Sequence, residues 1–106
     1  MFSNTARNLR LDGSLLRCEL QQNGGGNWVG AEVDLNNHFD NNGFGKICSG
    51  GRGFWATLDH SKTRLDGHTF YGACSAGPNY PGTYYDFKLD LDRYFKNRDG
   101  RLVFIE

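Results

Sequence analysis

The sequence predicts a small all-β domain with internal pseudo-twofold symmetry. Three observations predict it: an ordered internal repeat, period-two alternation in several short segments, and turn-forming Gly and Asn clusters between them. The repeat is the strongest. Leu11-Asp12-Gly13 returns as Leu65-Asp66-Gly67, Cys18 as Cys74, Asp34-Leu35 as Asp90-Leu91, Phe39 as Phe95, and Asn41 as Asn97. The offset is 54 residues at the first anchor and 56 at the rest, so one two-residue insertion relates the halves. Halves of about 50 residues are too small for a comfortable private core, so they are expected to share one. The expectation is a single domain over 1–106, with repeat 1 at about 1–53 and repeat 2 at about 54–106.

Along the chain, Leu16, Cys18 and Leu20 share one strand face, and Val29, Ala31 and Val33 repeat the pattern. Asn23-Gly24-Gly25-Gly26-Asn27 between them is turn chemistry, which makes the pair a hairpin. Asp34 then precedes Leu35 and Phe39, apolar residues four apart, and this predicts a short capped helical turn ending at Asn41. Residues 49–53 carry no apolar side chain or proline and read as a pliable connector, through which two chains could exchange halves. The second half follows the same order. Phe70, Gly72 and Cys74 form an inward face, and Gly77-Pro78-Asn79-Tyr80-Pro81-Gly82 a turn. Tyr85, Phe87 and Leu89 then alternate with Tyr84, Asp86 and Lys88. Asp90 caps a turn through Leu91 and Phe95 that ends at Asn97, and 101–105 make the last strand. Eight Phe, five Tyr and two Trp supply the core.

Composition narrows the function classes. With 12 basic and 12 acidic residues the net charge is zero, so no general field draws nucleic acid or anionic lipid. No window approaches the roughly 18 apolar residues of a membrane span, and the polar start with Arg7 and Arg10 lacks a signal peptide's apolar stretch. No membrane contact and a cytoplasmic location are expected. Cys18, Cys48 and Cys74 cannot all pair within the chain, and reduced thiols are the default. His38, His60 and His68 show no metal-ligand spacing and the cysteines form no CxxC pair, so no metal is expected. Lys46 is followed by Ile47, where a phosphate loop needs Ser or Thr, and Gly43-Phe44-Gly45 lacks the third glycine of a dinucleotide fingerprint. Gly50-Gly51-Arg52-Gly53-Phe54 is a lone copy of an RNA-contacting element, which reads as a linker in a neutral chain. Asp59 beside His60, and Asp86 near Asp90, read as turn-holding aspartates, so no catalytic residue and no cofactor are expected.

The paired Leu-Asp-Gly elements, the paired Asp-Leu turns leading to Phe39 and Phe95, and the terminal Asn97-Arg98-Asp99-Gly100-Arg101-Leu102 together resemble the cyanovirin-N homologue family of mannose-binding lectins. Phe2-Ser3-Asn4-Thr5 and Asn23-Gly24-Gly25 resemble it too, and the likeness covers essentially the whole chain. It implies a cyanovirin-N-like fold of two lobes, each a three-stranded sheet plus a hairpin, with short helical turns and strands exchanged between repeats. It also implies a non-enzymatic lectin for terminal α(1-2)-linked mannose on high-mannose glycans, monomeric or swapped into a dimer. The alternative on the same fold is a protein-interaction or structural module without sugar binding.

Carried over residue by residue, the resemblance places a first-lobe site on Asn4, Thr5, Glu19, Gln21, Asn97, Arg98 and Asp99, with Met1 at its rim. Glu19 and Asp99 would accept from vicinal hydroxyls, and Asn97 would both donate and accept. A second-lobe site would fall on Asp40, Asn41, Arg52, Gly53, Thr57, Ser75, Ala76, Gly77 and Asn79. There the chain departs from the family pattern. Ala56 stands in place of a carboxylate and Gly77 in place of a basic residue, and the loop after Asn41 is one residue longer than its counterpart. Each neutral hydrogen bond lost costs about 0.5 to 1.5 kcal/mol, roughly threefold to tenfold in affinity, so one working site, in the first lobe, is expected. The family bridges are missing as well, because their early partners are Ala6 and Leu58 here. That places the chain with disulfide-free members from fungi and ferns, with Cys48 a small hydrophobe matched by Val103.

Overall fold

A computed structural model describes residues 1–105. A 3-10 turn (Phe2–Thr5) leads into β1 (Ala6–Asp12), β2 (Leu15–Gln21) and β3 (Trp28–Asp34), an antiparallel sheet in that order. A second turn (Leu35–Asn37) feeds the hairpin β4 (Phe39–Asn41) and β5 (Ile47–Ser49). The second half opens with turns at Phe54–Thr57 and His60–Lys62. Its sheet is β6 (Arg64–Asp66), β7 (Thr69–Ser75) and β8 (Tyr84–Asp90). One helical turn, α1 (Leu91–Tyr94), precedes the hairpin β9 (Phe95–Arg98) and β10 (Arg101–Phe104). The all-β class is as the residue pattern predicts, and the two three-stranded sheets with hairpins are as the family resemblance implies. No helix among the described residues is long and apolar enough to cross a membrane.

The repeat anchors do local work. Asp34 accepts from the Asn36 N–H at 3.0 Å and from the Ser14 hydroxyl at 2.7 Å, while Leu35 N–H reaches the Ser14 carbonyl at 3.0 Å. Asp90 accepts from the Asp92 N–H at 3.1 Å and faces His68 Nδ1 at 2.9 Å, while Leu91 N–H reaches the His68 carbonyl at 2.9 Å. Each Leu-Asp-Gly turn is thereby latched to the capped turn two strands later. The helical turns are shorter than expected, stopping at Asn37 and Tyr94. A single capped turn has little to propagate it, and Phe39 and Phe95 gain more by pairing with Ser49 and Phe104.

Packing joins the halves. β10 lies against β3, β9 against the Phe2–Thr5 turn, and β4 against the Phe54–Thr57 turn. One buried cluster runs from Phe2, Leu16 and Leu20 through Leu35, Phe39 and Phe54 to Phe70, Leu91 and Phe95. The molecule measures 51 × 24 × 17 Å with a radius of gyration of 14.5 Å. A compact domain of this length would have about 13 Å, so the core is a strip along an elongated body. The expected inward face of β8 is only partly buried: Leu89 is covered and Phe87 half-covered, but Tyr85 is 50% exposed. Tyr85 pairs with Cys74 near the end of the sheet, and its ring lies over Gly45, where a Cβ would come within 2.2 Å of Cδ2. The connector at 49–53 is tied down, with Gly50 N–H to the His38 carbonyl and Gly53 N–H to the Asn36 carbonyl, both at 2.8 Å.

All three cysteines are free. Burial pushes the Cys18 thiol up to about 11 and raises that of Cys74, so both are neutral hydrophobes at ordinary pH. Leu58 lies opposite Cys74, whereas Ala6 pairs with Leu20. The two pairs are equivalent, so Cys74 stands at the strand position that Leu20, and not Cys18, holds in the first sheet; Cys18 is instead opposed by Asn8 and Leu9 together, in a bulge between the pairs Arg7–Glu19 and Arg10–Arg17.

His38 stacks on Phe104 with centroids 4.5 Å apart and meets Phe95 edge-on at 5.7 Å. Burial, with help from Arg52 and against Asp34, lowers its pKa below the ordinary 6.5. The unfolded chain therefore takes up this proton first as pH falls. The contribution of His38 to stability is complete above about 6.5 and declines below it, down to the folded value. Urea denaturation should show a lower midpoint at pH 5.5 than at pH 7.5. His38→Phe should flatten that part of the slope, and an unchanged slope would refute the assignment.

Candidate functional site

Two clamps of the same design tie each half to the other. Asn97 in β9 donates Nδ2 to the Thr5 hydroxyl at 2.9 Å and to the Gln21 carbonyl at 2.8 Å, while its Oδ1 accepts from the Gly100 N–H at 2.8 Å. Asn41 in β4 donates Nδ2 to the Thr57 hydroxyl at 3.3 Å and to the Ser75 carbonyl at 2.9 Å, while its Oδ1 accepts from the Gly43 N–H at 2.9 Å. Thr5 and Thr57 pass the pattern on to the carbonyls of Phe2 at 3.3 Å and Phe54 at 2.7 Å. A strand end, a 3-10 turn and a hairpin loop converge at each clamp.

The first clamp gathers Thr5, Gln21 and Asn97, and beside it a recess of about 310 Å³ is lined by Met1, Thr5 and Asn97 together with Phe2, Asp92, Phe95, Lys96 and Ile105, while Glu19, Gln21, Arg98 and Asp99 lie outside its lining. Asp99, at φ +51° in the β9–β10 turn, accepts from the Asn23 N–H at 3.0 Å and draws the 23–27 turn to the same place. Gln21 holds that turn from the other side, its Nε2 donating to the Gly25 carbonyl at 2.8 Å. Arg98 is exposed next to Asp99. Asn4 faces elsewhere, into a groove of about 610 Å³ shared with Ser3, Asn8 and His68. The Asn97 amide is spent inside the fold, so it sets the cleft's walls where the sequence reading had it donating and accepting at the ligand.

Glu19 stands on the outer face of β2. Its Oε1 accepts from Asn8 Nδ2 at 2.6 Å and Arg7 Nε at 3.2 Å. These two donors, Asn8 foremost, hold its carboxyl below the usual carboxylate range, so it is an ionised acceptor. Asn8 reaches it because the bulge puts Asn8 at φ +57°, an uncommon conformation for a side-chain-bearing residue. The Arg7 guanidinium lies 4.3 Å from the Trp28 ring centre. Sequence reasoning missed Arg7, Asn8 and Trp28. Pairing outward from the Leu-Asp-Gly turn would have placed Asn8 opposite Glu19 and Arg7 opposite Leu20; the bulge, which nothing in the sequence signals, brings Arg7 to Glu19.

At the second clamp Asn41, Thr57 and Ser75 come together, with the Ser75 hydroxyl accepting from the Gly77 N–H at 3.1 Å. The longer loop after Asn41 folds back onto the sheet end. A Cβ on Gly77, at φ +108°, would come within 2.1 Å of the Gly43 carbonyl oxygen, so this contact requires glycine. Asp40 is pressed against Gly51 of the connector, Arg52 and Gly53 are exposed there, Ala76 is buried, and Asn79 sits exposed at the tip of the β7–β8 turn.

Among the described residues one group could hold a metal ion: His68, Asp90 and Asp92, whose ligand atoms lie within 4.8 Å of one another. Asp92 already has a structural task. Its buried carboxylate accepts from the Ser3 N–H at 2.9 Å and the Ser3 hydroxyl at 2.5 Å, pinning the N-terminal turn to the second half. Spacing had not revealed this trio, because its members meet through the β7–β8 pairing and α1.

The profile of the CVNH domain matches residues 2–103. No curated protein matches the sequence. Among solved structures the chain is similar to the CVNH protein of Gibberella zeae, with TM-score 0.79 and 22% identity over 99% of this chain and 97% of that one. It is also similar to a MoCVNH3 variant solved in complex with (N-GlcNAc)4, with TM-score 0.78 and 20% identity over 98% and 96%. Microvirin, solved in complex with mannobiose, gives TM-score 0.76 and 22% identity over 97% and 96%. At these identities the structures speak to the fold, and the profile speaks to the family: the chain belongs to the CVNH domain family, the cyanovirin-N homologues, which are lectins rather than enzymes.

Proposed function

We propose that this protein is a lectin that takes terminal α(1-2)-linked mannose of high-mannose glycans in the first-lobe cleft, while the second lobe binds weakly or is silent. In this reading the chain works as one domain whose halves lend each other their hairpins. The observation that carries it is the Asn97 clamp, which ties the Thr5 hydroxyl, the Gln21 strand end and the 97–100 loop together beside a recess that Met1, Thr5 and Asn97 help to line. A pyranose carries several hydroxyls that donate and accept at once, and short polar side chains on a pre-ordered wall suit it without metal or catalysis. Support for a sugar ligand also comes from the mannobiose and (N-GlcNAc)4 bound to similar folds. The second lobe argues against itself through Ala56, Gly77 and the loop that leans on the sheet end. Retention of the protein by mannose-terminated glycans on an array, competed by free α(1-2)-mannobiose, is the expected result. An array blank for every mannose-terminated glycan would refute the proposal.

A second reading, a protein-interaction module, draws on the exposed rings of Phe44 (73%), Tyr80 (59%) and Tyr85 (50%) around the second lobe's loops. It predicts a blank array.

A further inference from the structure

The outer face of the first sheet continues past the cleft. Side chains alternate along a strand, so Gln21 and Trp28 share one rung of this face, Arg7, Glu19 and Gly30 the next, and Arg17 and Glu32 the one beyond. Gly30 leaves a gap in the middle. Nothing lies within 4 Å of where its Cβ would be, and a hollow of about 240 Å³ is lined there by Arg10, Arg17, Cys18, Gly30, Ala31 and Glu32.

The side chains beside the gap, on the same sheet face but outside the lining of the hollow, are held in place. Arg7 is fixed by Trp28 at 4.3 Å and by Glu19 at 3.2 Å, and Glu19 is braced by Asn8 at 2.6 Å. Ordering such side chains in advance removes an entropic cost of about 0.5 to 1.5 kcal/mol each on binding. Arg7 spends its Nε on Glu19 and keeps the terminal guanidinium N–H groups, while Glu19 keeps a second carboxylate oxygen. The charges on this face are matched, Arg7 with Glu19 and Arg17 with Asp12 at 3.6 Å and Glu32 at 3.7 Å. A face with many hydrogen-bonding groups and no net field suits a neutral polyhydroxyl ligand better than an anion. The other lobe lacks the gap: with Ser75 matched to Gln21 by the clamps, Ala73 stands at the place of Glu19 and Asp86 at the place of Gly30.

We propose that the hollow over Gly30 is an accessory subsite, continuous with the first-lobe cleft through Gln21 and Glu19, that takes the next pyranose ring of an oligosaccharide whose terminal units occupy that cleft. Terminal units would set recognition in the cleft, and Arg10, Arg17 and Glu32 in the hollow, with Arg7 and Glu19 beside it, would set the preference for length. The inference rests on the reading of the first lobe as a sugar site, and the test separates the two.

Calorimetric titration with α(1-2)-mannobiose and with a mannotetraose supplies the comparison. The tetrasaccharide should bind about tenfold tighter, equivalent to about 1.4 kcal/mol. Gly30→Val fills the hollow with a β-favouring side chain whose Cβ meets no neighbour within 4 Å, so the fold should melt no earlier than the parent. It should erase the tenfold gain and leave the disaccharide affinity within twofold of the parent. Arg7→Lys, which keeps the charge and loses the planar stack, should reduce the gain in part. Equal affinity of the parent for both sugars, or a gain that survives Gly30→Val, overturns the accessory subsite while the first-lobe reading stands. Failure to bind either sugar overturns both.

Discussion

Asn97→Ala is expected to abolish mannoside binding and to lower stability by about 1 to 3 kcal/mol, whereas Asn41→Ala is expected to cost similar stability with binding intact. The two asparagines make the same three kinds of hydrogen bond, so the stability losses should match. Each substitution strands a strand carbonyl, Gln21 or Ser75, and a loop N–H, Gly100 or Gly43. The functional losses should differ because only the Asn97 clamp sets the recess lined by Met1 and Thr5. Removing it frees the 97–100 loop and the N-terminal turn together, and a cleft ordered by both loses its shape. Urea denaturation gives the first quantity and sugar titration the second. Equal binding losses in the two variants would refute the assignment of function to the first lobe.

Phe39→Ala is expected to destabilise the fold by about 3 to 5 kcal/mol. Phe39 is fully buried where the halves meet, with ring centroids 5.6 Å from Phe54, 5.1 Å from Tyr94, 6.5 Å from Phe95 and 6.2 Å from Phe104. Four rings cannot collapse into the space it leaves without abandoning these tilted and edge-to-face contacts. A domain of this size holds only about 5 to 15 kcal/mol in total, so the variant should be partly unfolded at physiological temperature. Tyr80→Ala, at a ring 59% exposed in a turn, should change stability by no more than about 0.5 kcal/mol. Thermal melts of the two variants should therefore differ sharply, and near-parental melting of Phe39→Ala would contradict the shared core.

The parts of the fold legible in the sequence are those whose physics is local and stated twice. Asp34 and Asp90 each cap the turn that follows them, so a repeat search meets the same cap at the same spacing. Leu16, Cys18, Leu20, Phe70 and Cys74 lie inward because strand alternation leaves one choice of face. What escaped detection depends on partners far along the chain. The Asn97 amide is satisfied by residues 76 and 92 positions away, so its spent state could not be read from its neighbours. Tyr85 obeys the alternation of β8 yet remains exposed, because burial at a sheet end depends on what the other half places over it. The connector at 49–53 has a linker's composition and is nonetheless held by the carbonyls of Asn36 and His38. The bulge at Asn8, which aims that side chain at Glu19, is a register irregularity that alternation cannot foresee.

Titration of isotope-labelled protein with α(1-2)-mannobiose, followed by amide chemical shifts, tests the first-lobe site most directly. The account predicts saturable shifts at Thr5, Gln21, Asn97 and the 23–27 turn, with Asn41, Thr57 and Ser75 unmoved. A spectrum indifferent to millimolar sugar, or shifts gathered around Asn41 and Thr57 instead, would contradict it.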